Sequence, residues 1–339
     1  MKTTVFGLDL AKTEFHVVGL NQAGKEGAKK KLKRGKVLDY FRQQDPALVA
    51  MEACAAAHYW AREIEGLGHQ VMLLPPQAVK PYLLGSKNDY NDALAIAEAS
   101  GRPKIHGVRV RSVEEQALQG VQRLRELQVK QRTALGNCLR GLLGEVGIMV
   151  AQGLAQLRTA LPGILEDAEN GVPDLLRQAL NRSYQQLRQL DEDIDQHERQ
   201  IKAAVARHED AQRLLSVPGF GPIITAAFIS SVGDGKQFQR GRDVSAFLGL
   251  VPRQHSTGGK NVLLGITKHG NTQLRSLLVH GARSVLQHAG KKQDRLSRWA
   301  VQLEQRVGWN KAVVAIANKI ARIAWAVLTS GGTYQAQAA

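Results

Sequence analysis

The sequence is poor in cysteine: Cys54 and Cys138 are the two present in 339 residues, with no C-x-x-C pair and no cysteine/histidine grouping at zinc spacing. That pattern excludes a disulfide framework and a structural zinc site, and a reduced, cytoplasmic compartment is the simplest reading. Long apolar runs are also lacking. None approaches the roughly 20 residues that a membrane-spanning helix requires, so no membrane association is expected. The N-terminal "MKTTVFGLDLAK" reads as a strand and lacks the apolar stretch and small-residue cleavage site of a secretory signal. Ten histidines are scattered and read as surface or packing residues. Acidic residues are the last shortage, 30 against 46 lysines and arginines.

The resulting charge of +16 is unevenly spread. From Arg240 onward there are 15 basic and 3 acidic residues, so +12 of the +16 sits in the last hundred positions. A second cluster, "KKKLKRGK", carries Lys29, Lys30, Lys31, Lys33 and Arg34. One such run is as often a solvated face as a binding surface. A whole segment biased this far points to a polyanion, with nucleic acid the first candidate. The length admits two or three modest domains.

Residues 1–107 alternate strands and helices. "TTVFGLDLA", "EFHVVGLN" and the basic run are three successive strands, an antiparallel meander. The amphipathic "KVLDYFRQQ", the strand "ALVAMEA", the helix "HYWAREIEGLG" and the strand "QVMLLPP" then add parallel strands to the sheet. This is the order of a ribonuclease H-like domain. Residues 108–210 read as long helices. Val121, Leu124, Leu135, Leu139, Leu142 and Val146 form one stripe. After a break at "LPGILEDAENGVPD", Leu180, Leu187, Ile194 and Ile201 repeat every seven residues. Such helices are folded back, paired with another subunit as a coiled coil, or a plain spacer. Residues 211–330 open with "LLSVPGFGPIITAAF", whose Gly219 and Gly221 suit a helix-hairpin-helix that offers amides to a DNA phosphate, or a tight interhelical turn. A glycine-rich basic loop (252–270), further helices and a polar, frayed tail (331–339) complete the chain.

The chemistry-bearing residues are carboxylates and one hydroxyl. Asp9 alternates with Phe6, Leu8 and Leu10 and so faces away from them. Glu52 ends the apolar run "LVAME". Burying either alone is costly, so each must be paired, protonated or metal-bound. Asp89 and Asp92 stand about one helical turn apart at a helix start. Asp89 is equally readable as an N-cap. Adjacent first and fourth strands would bring Asp9 and Glu52 together, and the four acids would form a hard-oxygen cage of the kind that holds Mg²⁺. In "PRQHSTGGK", Ser256 and Thr257 precede Gly258 and Gly259 among Arg253, His255 and Lys260. The hydroxyl of Ser256 is a phosphate-binding group or a nucleophile, with His255 a conceivable base. Lys268, Arg275 and Arg283 form a further phosphate-contacting face, while Trp299, Trp309 and Trp325 read as core.

With "GLDLAK", "MEA", "NDYNDALA", "PGFGPIITAAF", "FLGLVPRQHSTGGK" and "GITKHGNTQLRSLL" in that order, the sequence resembles the DEDD transposases of insertion-sequence family one-ten, nearest their subgroup eleven-eleven. The resemblance implies a RuvC-like ribonuclease H domain, a coiled-coil linker and a C-terminal transposase domain. It implies site-specific recombination guided by a bridge RNA that pairs with target and donor DNA. Asp9, Glu52, Asp89 and Asp92 would hold Mg²⁺. Ser256 would be the nucleophile forming a phosphoserine link to DNA, although a gap-free match to other branches sets Thr257 there. A homodimer assembling to a homotetramer is implied too, with one subunit's acids meeting another's serine. Two other readings stand beside this one. One is a RuvC-like nuclease or junction resolvase using metal-activated water, and the other a non-catalytic nucleic-acid scaffold.

Overall fold

In the first strand, β1 (Thr3–Asp9), side chains alternate between two apolar environments, and this alternation organises everything around it. The computed structural model describes residues 2–86 and 88–337. The chain divides into two compact units, Met1–Ser112 and Val113–Ala339.

In the first unit β1, β2 (Glu14–Asn21) and β3 (Glu26–Lys33) form an antiparallel meander. After α1 (Val37–Arg42), β4 (Leu48–Glu52) lies parallel to β1. After α2 (Ala57–Glu65), β5 (Gln70–Leu74) lies parallel to β4. The strand order β3-β2-β1-β4-β5 is consistent with a ribonuclease H-like domain. One face of the sheet packs Phe6, Leu8, Phe15, Val17, Val49 and Met51 against Val37 and Phe41 of α1 and Trp60, Ala61 and Ile64 of α2. Each large apolar side chain sealed there is worth about 1.5–3 kcal/mol. A short helix, α3 (Pro76–Val79), leads toward α4 (Asp89–Ser100), which covers the other face. The alanines of "DALAIAEAS" let α4 approach the sheet closely. A Cβ added to Gly7 would lie 1.9 Å from the carbonyl oxygen of Ala93 and 2.7 Å from the amide of Ala97.

In the second unit α5 (Val113–Glu145) and α7 (Asp174–Arg207) run antiparallel, joined through α6 (Leu154–Glu166). Arg125 pairs with Glu198, Gln128 with Asp193 and Arg132 with Asp191, and Arg158 of α6 reaches the same Asp191. The heptad stripe Leu180, Leu187, Ile194 and Ile201 is buried within the chain, so the helices are folded back. The stripe on α5 runs differently from the sequence reading. Leu139 and Leu143, four apart, face inward, which turns Leu142 and Leu124 outward. Leu161 and Pro162 lie inside α6 rather than in a break.

The helices α8 (Glu209–Leu214), α9 (Pro222–Val232), α10 (Gly241–Phe247), α11 (Thr272–Ala289), α12 (Arg295–Val307) and α13 (Trp309–Ser330) share a core that Ile201 and Val205 of α7 enter. Contrary to the sequence reading, α13 is long and apolar enough to cross a membrane. Its Ala312, Val313, Ile316, Ala317, Ile320 and Ala324 are nonetheless buried in this core. Nor is the tail frayed: the Tyr334 amide donates to Ser216 Oγ at 2.8 Å, and the Arg295 amide, free at the start of α12, donates to the Gln337 carbonyl at 3.1 Å. The last two residues lie outside the described residues.

Candidate active site: an acidic cluster and a serine hairpin

The cap of α4 is Asn88, whose Oδ1 accepts the Tyr90 amide at 2.9 Å and whose carbonyl accepts the Asp92 amide at 3.0 Å. Asp89 is therefore not the cap, and both aspartates of the first turn are free to act elsewhere. Asp9 ends β1 on the face that α4 covers, and the antiparallel register sets it opposite His16. The parallel register of β1 and β4, with Leu8 beside Met51, brings Glu52 to the neighbouring strand end.

One potential ligand atom from each of Asp9, His16 and Asp89 lies within 4.8 Å of the other two. Asp92 and Glu52 stand outside that tight group but within electrostatic reach. Burial, then the charges of Asp92, Asp89 and Glu52, push the Asp9 carboxyl up to about 6, with His16 opposing. Burial and Asp92 likewise raise Glu52, against a lowering by Lys80. Carboxylates crowded this way are driven to take up protons or a cation.

His16 was not singled out from the sequence. It is 7% exposed, with its ring edge-on to Tyr90 at 4.7 Å between centroids. Its Nδ1 is 3.5 Å from Asp89 Oδ2, too far for a good hydrogen bond, and is left buried without a hydrogen-bond partner. The signal was present: Phe15 and Val17 flank His16, so alternation turns it onto the face of Asp9. A set of oxygen donors with an orphaned imidazole nitrogen fits a divalent cation.

The segment read as a glycine-rich loop is a hairpin of β6 (Pro252–Thr257) and β7 (Lys260–Ile266). Gly258 and Gly259, at φ +55° and +76°, form its two-residue turn, with the positive angles that a type I′ turn requires. Ser256 pairs across the hairpin with Asn261. Its hydroxyl donates to Asn261 Oδ1 at 2.9 Å and accepts from Gln254 Nε2 at 2.8 Å. His255 and Thr257 alternate onto the opposite face. His255 is therefore not placed as the base for Ser256, and the hydroxyl's hydrogen bond is accepted by an amide oxygen, which is not a base.

A model named for DEDD transposases of the IS110 type matches residues 6–148, and a model of the Transposase IS116/IS110/IS902 family matches residues 211–297. The chain is 46% identical over 336 residues to the "Probable family 20 transposase" of Pseudomonas aeruginosa, covering 99% of each protein. The chain belongs to the IS110-family DEDD transposases. It is also similar to the "Transposase for insertion sequence element IS1111A" of Coxiella burnetii, at 44% identity over 98% of this chain and 91% of the relative. To the "Transposase for insertion sequence element IS1328" of Yersinia enterocolitica it is 40% identical, over 98% of each. As a transposase it cuts and rejoins DNA.

The basic residues of this transposase divide into free and committed ones. Lys30 and Lys33 on the edge strand β3 are exposed, as are Arg253, Lys260 and Lys268 around the hairpin. Lys31 pairs with Glu14 at 2.6 Å, and Lys29 lies over the Tyr90 ring. Arg34 stacks on Phe15 and Trp60. Arg275, expected to contact phosphate, is buried and donates to the carbonyls of Leu248 and His269 and to Thr272 Oγ1. It braces the turn before α11 and is not available to a nucleic acid. Gly219 is packed against Gly281 of α11, where a Cβ would meet the Gly281 carbonyl oxygen at 2.8 Å, whereas Gly221 at the start of α9 faces open space.

Proposed function

We propose that this IS110-family transposase is a bridge-RNA-guided recombinase in which Ser256 attacks the DNA phosphodiester and Asp9, Glu52, Asp89 and Asp92 hold magnesium. The observation that carries this reading is the presentation of Ser256: an exposed hydroxyl beside a two-residue glycine turn, hydrogen-bonded to Gln254 and Asn261. Its Oγ forms a bond to phosphorus while the phosphorus–oxygen bond to one DNA strand breaks, and the released oxygen leaves as a hydroxyl. Attack by the hydroxyl of the other strand then frees Ser256 and completes the exchange. Gln254 Nε2, which donates to Ser256, would donate to a phosphoryl oxygen, and Arg253 and Lys260 would supply charge nearby. A bound magnesium ion would supply Lewis-acid stabilisation of the attacking and leaving oxygens. Asp89 and Asp92 keep their carboxylate oxygens for that ion because Asn88 caps the helix.

Bridge RNA, target DNA and donor DNA are the partners that the family resemblance implies, and the basic last third of the chain supports a polyanion surface. The open N-terminus of α9 at Gly221 suits a DNA phosphate as well. Exposed Leu124 and Leu127 on α5 support subunit contacts in a tetramer.

The test is recombinant junctions in cells supplied with donor and target plasmids and the non-coding DNA flanking the gene. Junctions from wild type and Thr257→Ala, but none from Ser256→Ala at equal protein level and RNA binding, are expected. Junctions from Ser256→Ala would overturn the serine route and leave metal-activated water or Thr257 as the attacking group.

A further inference from the structure

His16 is the most deeply buried of the polar residues around the acidic cluster and the one with no defined task. Its β2 neighbours Phe15 and Val17 are sealed in the apolar core on the other face. The β1–β2 register sets it directly across from Asp9, and such cross-strand partners share a face with Cβ atoms about 4.5–5.5 Å apart. From above, α4 brings Asp89. Three donors from three elements thus converge, with their atoms within 4.8 Å of one another. Around an octahedral cation with bonds of about 2.1 Å, adjacent donors stand about 3.0 Å apart and opposite ones about 4.2 Å, and the 3.5 Å between His16 Nδ1 and Asp89 Oδ2 already lies in that range.

An ion pair with Asp89 is the simpler account of His16, and it leaves two things unexplained. At 3.5 Å the pair makes no hydrogen bond, and Nδ1 is buried with no other partner. The Asp89 side chain is 61% exposed, so its charge is mostly satisfied by water and does little for a buried imidazolium. A buried ring nitrogen without a hydrogen-bond partner, beside the Asp89 carboxylate and across from Asp9, is a ligand atom lacking its acceptor.

We propose that His16 Nδ1 is an inner ligand of the cation bound by Asp9 and Asp89, so that the site is a mixed nitrogen–oxygen one that favours manganese over magnesium. This inference rests on the reading that the acids hold a divalent cation, and it adds a ligand beyond them. Magnesium binds oxygen donors and gains little from an imidazole, whereas first-row transition dications accept nitrogen readily. Tyr90 against the ring edge fixes the orientation that directs Nδ1 toward Asp89. His16 sets which metal the site prefers without touching DNA.

The experiment is manganese(II) titrated into the full-length protein and followed by electron paramagnetic resonance. Loss of the free-ion spectrum reports binding, and pulsed spectra report nitrogen at the bound ion. Binding lost in Asp9→Asn, together with nitrogen modulation that changes when the protein is grown on histidine carrying the heavy nitrogen isotope, is the expected result. In His16→Gln the modulation should vanish and manganese affinity fall about tenfold, with magnesium affinity within about threefold of wild type. Manganese bound in an Asp9-dependent way without nitrogen modulation would overturn the inference and leave the acid cage standing. Absence of any Asp9-dependent binding would overturn both. The isotope comparison uses unsubstituted protein, so it decides the matter even if His16→Gln fails to fold.

Discussion

Replacing Asp9 by asparagine should stabilise the metal-free protein at neutral pH while abolishing its activity. In the folded state burial and three neighbouring carboxylates raise the Asp9 carboxyl from 3.8 to about 6. Between those values the folded chain binds more protons than the unfolded one, so the contribution of Asp9 to stability falls as pH rises from about 4 to about 6 and stays lost above that. A gap of about two pH units corresponds to about 3 kcal/mol. Asp9 is half-buried rather than sealed, and solvent screening reduces this to about 1–2 kcal/mol. For a unit the size of Met1–Ser112, 1 kcal/mol moves the melting temperature by roughly 4 °C, so the variant should melt about 4–8 °C higher at pH 7. Calorimetry of the full chain with chelator, at pH 7 and below pH 4, measures this directly. The gain should vanish at the lower pH, where both proteins carry a neutral group at position 9. Added manganese should narrow the difference at pH 7 by stabilising wild type alone. A variant that melts at or below wild type at pH 7, or gains as much at both pH values, would refute the reasoning.

Three other outcomes are expected. Gly7→Ala should cost several kcal/mol and give insoluble or molten protein, because its methyl group would occupy the space of the Ala93 carbonyl; circular dichroism and solubility check it. In the hairpin turn, Gly258→Asn should retain junction formation, since asparagine accepts the left-handed conformation. Gly259→Val should lose it with little change in melting, as a β-branched residue there costs about 1–2 kcal/mol or more. Arg275→Met should lower stability by roughly 1–3 kcal/mol in thermal unfolding, chiefly through the unpaired Leu248 and His269 carbonyls, and leave the salt dependence of DNA binding unchanged. Arg253→Ala with Lys260→Ala should instead flatten that dependence by up to about two units of slope at constant stability.

The first unit was readable because its strands alternate cleanly. Phe6 and Leu8 point one way and Asp9 the other, and the order of strands and helices follows from pattern alone. His16 escaped notice because its significance depends on register: only pairing with Asp9, seven positions away, gives it a role. The hairpin escaped because every residue of β6 is exposed, so no buried face imposes an alternation on its sequence. Arg275 was misassigned for a related reason. Its partners are carbonyls at 248 and 269, brought together by the turn before α11, and a basic residue on a helix carries no mark of what lies beside it. The inward face of α5 was misjudged by a single position, Leu142 for Leu143, which on a helix is a rotation of about 100°.

The contact of Gly7 with Ala93 and Ala97 also bears on how a mobile element ages. Copies that no longer move are released from selection and drift. In this fold Asp89 and Asp92 keep their distance from Asp9 only while three small residues permit the helix to lie against the sheet. On the proposed function, one added methyl group at Gly7 should silence a copy as the loss of Asp9 would, yet leave every acid in the sequence intact. A census of living copies should therefore read positions 7, 93 and 97 together with the acids.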